Sequence, residues 1–194
     1  MSYDFNLIPK IPGQDPLAAA RSFVERDVEE INPGPLVPEL EVKKKRLANS
    51  LIKANPKLAL FEKNYSELAE MEDISEDEAR TKYRDLEING LEDGNGIQIS
   101  LLDDSASVTV PYWHEPGAAA AVMDEIWKYL NVLANEGGYT IYDPQLGKIL
   151  DLSKDRGAAL ACYGGVVTKM PGILAQATQT GQPQRATKPW WKFW

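Results

Sequence analysis

The chain has 194 residues, 43% hydrophobic and 26% charged, with one cysteine, Cys162, so it holds enough apolar content for a core and excludes an internal disulfide. No segment approaches the about 20 apolar residues that span a bilayer, and Met1 to Lys10 lacks a signal-peptide pattern, which makes the cytoplasm the expected compartment. Net charge is −8, yet Arg185, Lys188 and Lys192 are the only charged side chains after residue 172, leaving −11 on residues 1–172; such a body repels phosphate backbones and anionic lipid, which argues against nucleic acid and membrane, and it attracts a basic protein.

Tyr3, Phe5 and Leu7 alternate with polar residues and predict a strand, stopped by Pro9, Pro12 and Gly13. Asp15-Pro16 reads as an N-cap and first helical residue, and Leu17, Ala20, Phe23 or Val24, and Val28 keep helical spacing up to Asn32-Pro33. A second helix opens at Pro38, carries the basic run Lys43 to Arg46, and breaks or kinks at Asn55-Pro56. Leu58 to Met71 reads as further helix. Ser75 with Glu78 has the form of a capping box for a short acidic helix ending near Tyr83.

Three alternating runs follow: Leu86 and Ile88; Ile97, Ile99 and Leu101; Val108, Val110 and Tyr112. The turn residues between them predict an antiparallel meander. Pro116 opens an amphipathic helix whose Ala119, Val122, Met123, Ile126, Leu130 and Leu133 share a face until Gly137-Gly138 ends it; Tyr139 and Ile141 start a last strand. Arg156 to Met170 suits a fifth helix, weakened by about 1 kcal/mol for each of Gly164 and Gly165.

Strand, helices, meander, helix, strand is the order of a ferredoxin-like split βαβ sandwich. The expected fold is therefore α+β, with a mostly antiparallel sheet, helices on one face, an extra strand and a C-terminal extension. Residues 1–172 form the expected single domain, and residues 173–194 a linker, rich in Gln, Thr, Ala and Pro over Gln176 to Pro189, followed by an aromatic tail.

Chemistry-bearing motifs are sparse. His114 is the one histidine, and the chain has no CxxC or HxxxH spacing, no GxSxG elbow and no phosphate loop, so no metal, cofactor or catalytic residue is assigned. Trp113-His114-Glu115-Pro116 is the turn from the meander into the long helix, where an imidazole can satisfy backbone groups. A hydrolase or ligand-binding enzyme using His114 is the alternative, and it would need a pocket joining that ring to a carboxylate or to Cys162. Asp103-Asp104 sits at a hairpin tip, where aspartate suits the turn.

Two features exceed what folding requires. Asp143-Pro144 initiates a β-turn completed by Gly147, and the same loop, led by Tyr142, suits partner contact. Residues 188–194 hold Trp190, Trp191, Phe193 and Trp194 beside two lysines, and each ring can bury about 150–250 Å². Such a tail is expected to dock on its own domain, on a second copy as a homo-oligomer, on a foreign protein, or in a membrane interface as a peripheral or scaffold attachment.

Met1-Ser2-Tyr3-Asp4, the run Val108-Thr109-Val110-Pro111-Tyr112-Trp113, and Tyr142-Asp143-Pro144-Gln145 together resemble a loose group of small uncharacterised bacterial proteins, over residues 1 to about 152. Some members look like immunity proteins encoded near secreted antibacterial toxins. The resemblance implies a protein-binding role with no catalytic residues. The leading expectation is thus a non-enzymatic, immunity-type inhibitor of a basic toxin. Its candidate partner-binding residues are Tyr112, Trp113, Glu115, Tyr142 and Asp143, with Trp190, Trp191, Phe193 and Trp194 on the tail.

Overall fold

The structure, a computed structural model, describes residues 1–25, 34–90 and 96–179. In chain order the elements are β1 (Ser2–Pro9), α1 (Pro16–Val24), α2 (Pro38–Ala54), β2 (Leu58–Leu60), α3 (Tyr65–Glu72), α4 (Glu76–Lys82), β3 (Leu86–Gly90), β4 (Gln98–Leu101), β5 (Ala106–Pro111), α5 (Ala119–Gly137), β6 (Tyr139–Asp143), β7 (Lys148–Ile149) and α6 (Arg156–Gln179). The strands form one antiparallel sheet in the order β2-β3-β4-β5-β1-β6-β7. The meander β3-β4-β5 is present, α5 then crosses to β6, and β1 lies between β5 and β6.

Side-chain alternation decides what each face carries. Tyr3, Phe5 and Leu7 of β1 are fully buried, and the same side of the sheet presents Ile88, Ile99, Leu101, Val108 and Val110. Leu47 and Leu51 of α2, Met123, Ile126 and Leu130 of α5, and Tyr163 and Val167 of α6 close this core. A strand's next residue points the other way. Ile8 accordingly joins Tyr142 and Ala20 of α1 in a second, smaller cluster. Helices therefore pack on both faces, not on one as the sequence suggested, because Leu7 and Ile8 are consecutive apolar residues on opposite sides of β1. Beyond α1 the second face carries half-buried polar groups: Asp4, Asn6, Asn89, Gln98, Ser100, Ser107 and Thr109.

Local chemistry sets several boundaries where the sequence placed them. The Asp15 carboxylate accepts from Ala18 N at 2.9 Å and caps α1. Ser75 and Glu78 form the reciprocal capping box of α4, with Glu78 N to Ser75 Oγ at 3.2 Å and Ser75 N to Glu78 Oε2 at 2.8 Å. Gly138, at φ 71°, ends α5 in the left-handed conformation that glycine tolerates.

Two assignments change. The stretch Leu58–Met71 is not one helix: Leu58–Leu60 pairs with Ile88–Gly90 as an edge strand, and only from Tyr65, capped by Asn64, does the chain turn helical. Lys63 holds the corner between them, donating to the carbonyls of Tyr83 at 3.0 Å and Asp85 at 2.8 Å and to the Asp85 carboxylate at 2.6 Å. The fifth helix expected to end at Met170 instead runs through Pro171 to Gln179, entering the stretch read as linker. The aromatic tail, residues 188–194, lies outside the described residues.

Candidate functional site

At the end of β5 the chain turns through Tyr112-Trp113-His114-Glu115 into a single 3-10 turn, Pro116–Ala118, and then α5. Its two ring neighbours go opposite ways. Tyr112 is 8% exposed and stacks on Tyr163 of α6 with centroids 5.7 Å apart, whereas Trp113 is 61% exposed. The Trp113 ring covers Gly96, which has φ +68° and no Cβ; a side chain there would run into the indole and into Pro111 Cγ at 3.0 Å. Glycine is thus required twice at position 96, by its backbone conformation and by the ring above it.

His114 is bound into the same corner. Its Nδ1 lies 3.0 Å from the carbonyl oxygen of Pro111 and 2.5 Å from the Tyr163 hydroxyl, and that hydroxyl donates to the Pro111 carbonyl at 2.9 Å. Tyr163 meets Tyr3 edge-on at 5.9 Å, and Tyr3 donates to Asp143 Oδ2 at 2.6 Å. Asp143 Oδ1 accepts from Leu146 N at 3.0 Å, closing the turn that Gly147 completes at φ 65°. The predicted turn chemistry is present, but its carboxylate is spent inward.

Burial dominates the acid–base properties of this cluster. It pushes the Tyr112 hydroxyl up to about 12, and raises Tyr3 and Tyr163 further; for Tyr3 the hydrogen bond to Asp143 adds to the effect. Burial likewise raises the Asp143 carboxyl, outweighing the hydrogen bond from Tyr3 that opposes it. At neutral pH these tyrosines are neutral donors. They hold strands and helices in register and supply no base.

A second polar cluster was not foreseen. Lys44 of α2, 1% exposed, donates to Asp103 Oδ1 at 2.8 Å and to the Arg84 carbonyl at 2.9 Å, and pairs with Glu41 at 2.6 Å. Arg84 reaches Asp103 through Nε at 2.9 Å and again through Nη2, while its Nη1 donates to the Gly34 carbonyl at 2.9 Å. Burial alone would raise the Asp103 carboxyl, but the hydrogen bonds from Arg84 and Lys44 win and lower it. Hairpin-tip chemistry was visible at Asp103; nothing in sequence spacing linked it to Lys44, 59 residues away.

The candidate partner residues separate. Tyr112, Tyr142 and Asp143 are corrected to structural positions, at 8%, 7% and 0% exposure, because Tyr112 and Asp143 belong to the ring cluster under α6 while Tyr142 packs under α1 on the opposite face. Trp113 and Glu115 remain at the surface. Trp190, Trp191, Phe193 and Trp194 lie outside the described residues. Two surface depressions, of about 430 Å³ along α2 and about 260 Å³ beside Pro9 and Ile11, are lined by neither His114, Cys162 nor Asp143. Among the described residues no group of three or more His, Cys, Asp or Glu side chains is placed to hold a metal.

Fold and site together define an α+β protein built on a seven-stranded antiparallel sheet; among the described residues, Trp113 is the one exposed tryptophan and no helix is long and apolar enough to cross a membrane. The chain matches no protein-family model, no curated protein and no solved structure.

Proposed function

We propose that this chain works by binding another protein, with Trp113 as the anchor and Glu115 and the acidic body around it selecting a basic partner. The observation that carries the reading is the placement of Trp113: a ring 61% exposed, yet seated on Gly96 and flanked by the His114–Tyr163–Pro111 hydrogen bonds. An aromatic ring already held in place loses little freedom on binding, which is what makes tryptophan an effective interface anchor. The net charge of −8 supports fast, salt-sensitive association with a cationic surface.

Within that reading, the finer assignment is an immunity-type inhibitor that covers a basic toxin, supported by the acidic body and by the sequence resemblance. The central order β6-β1-β5-β4, antiparallel throughout, supports reading the middle of the sheet as a ferredoxin-like split βαβ unit, with β3 and β2 added at one edge and β7 at the other.

The test is affinity capture from the source cell's lysate with the full chain and with Trp113→Ala, followed by kinetics on the purified partner. The expected partner is basic, associates more slowly as salt rises, and binds the variant at least about tenfold more weakly, the loss typical of removing an interface anchor. An immunity role adds that the partner is toxic alone and tolerated with this chain. A partner bound equally well by Trp113→Ala overturns the assignment.

A further inference from the structure

Helix α2 uses its inner face completely and leaves an outer face of opposite character to the rest of the molecule. Leu47, Ala48 and Leu51 are buried in the core, and Lys44 is locked by Asp103 and Glu41. The outer stripe is Val42, Lys45, Arg46, Asn49 and Lys53, at the spacing of one helix face, and it lines the depression of about 430 Å³. Val42 is 68% exposed within it. Lys45 and Lys53 have no ion-pair partner among the described residues.

The α3–α4 hairpin is the counterpart. Residues 65–82 carry seven carboxylates against Arg80 and Lys82. Glu72 is paired with Lys82 and Glu76 with Arg80, and Glu78 is spent on the capping box, but Glu70, Asp73 and Asp77 are exposed and have no ion-pair partner among the described residues, and Met71 beside them is 68% exposed. No ion pair joins this hairpin to the outer stripe of α2 within one chain, among the described residues. Each face thus sets an exposed apolar side chain among charges with a surplus of one sign, basic on α2, where the Glu136 carboxylate accepts from Ser50 at 2.6 Å at the edge of the stripe, and acidic on the hairpin.

We infer that two copies of this chain associate by these faces, the basic stripe of α2 on one copy against the acidic α3–α4 hairpin of the other, Val42 meeting Met71. A second copy is the partner that fits because both halves of the complementarity are on the chain itself. Two molecules of net charge −8 otherwise repel, so attraction is confined to the one pairing in which unlike faces meet. If a two-fold axis relates the copies, the contact forms twice and closes as a dimer. This association is independent of Trp113 and of the protein-binding reading.

The test is sedimentation of the full chain as a function of salt, with charge-reversed variants. Wild type is expected to associate at about 0.02 M salt and to dissociate at about 0.5 M, where screening shortens electrostatic reach to a few ångströms. Lys45→Glu/Lys53→Glu and Glu70→Lys/Asp73→Lys/Asp77→Lys are each expected to be monomeric alone, with unchanged circular dichroism, and to associate when mixed, since the reversed faces complement each other. A monomeric wild type at low salt overturns the inference. So does association that resists salt or survives either reversal, which would put the contact elsewhere.

Discussion

Asp143, fully buried, and Asp103, half-buried, are two carboxylates with opposite consequences for stability. The Asp103 carboxyl is lowered in the folded state, so its contribution is present above the unfolded aspartate value near 3.9 and is lost as pH falls through the folded one. The Asp143 carboxyl is raised, so its contribution is complete below the unfolded value and is lost as pH rises through the folded one. Urea unfolding from about pH 2 to pH 7 should therefore show Asp103→Asn flattening the rise of stability with pH, and Asp143→Asn steepening it. Removing only the donor is a cleaner probe of the second group. Tyr3→Phe keeps the ring but leaves Asp143 without its hydroxyl partner, and should cost about 1–3 kcal/mol in denaturant unfolding. At position 96, alanine would meet both a left-handed backbone and the Trp113 ring. Gly96→Ala should destabilise by about 1–2 kcal/mol and shift the Trp113 indole resonance by NMR.

Elements were legible where the local code was complete. Alternation in β1 and in the β3–β5 meander, the Asp15 and Ser75 caps, and the Gly138 stop each carry their physical reason in adjacent residues. Ser75→Ala should accordingly cost about 1 kcal/mol of stability, as loss of an N-cap does, with the loss read by thermal unfolding. The three-residue strand β2 was not legible, because its reason is remote: Leu58–Leu60 is extended by pairing with β3 and by the Lys63 bonds to Tyr83 and Asp85, not by its own pattern. The same holds within the basic run of α2: nothing in the spacing of Lys43 to Arg46 marks Lys44 as the one that turns inward to Asp103 and Arg84. Asp103→Ala removes the carboxylate that both cations share but leaves Lys44 paired with Glu41 and Arg84 bonded to the Gly34 carbonyl, so its cost should fall toward the lower end of the about 3–5 kcal/mol expected for a broken buried pair, the more so because Asp103 keeps 25% of its side-chain exposure.

At the scale of the whole molecule, the sheet separates structural from accessible chemistry. His114, Tyr163, Tyr112, Tyr3 and Asp143 link the end of β5 to α6, β1 and the β6–β7 turn, and every buried side-chain polar atom among the described residues has a partner. Rings that looked like surface anchors in sequence, Tyr112 and Tyr142, are the supports of that arrangement. For Tyr112 the alternation with Val108 and Val110 already pointed inward; for Tyr142 burial could not be read, because alternation names a strand's two faces without saying what covers the second, and α1 covers only the part of it that holds Ile8 and Tyr142. Of the candidate rings among the described residues, Trp113 is the one presented outward, with Glu115 on an acidic molecule. The most direct measurement is photo-crosslinking in the source cell, with a benzophenone side chain at position 113 and, as a control, at position 61, where Phe61 is comparably exposed and belongs to neither proposed interface. The account predicts one basic protein joined through position 113 and not through 61. No adduct specific to position 113, or an adduct formed equally from both, would contradict it.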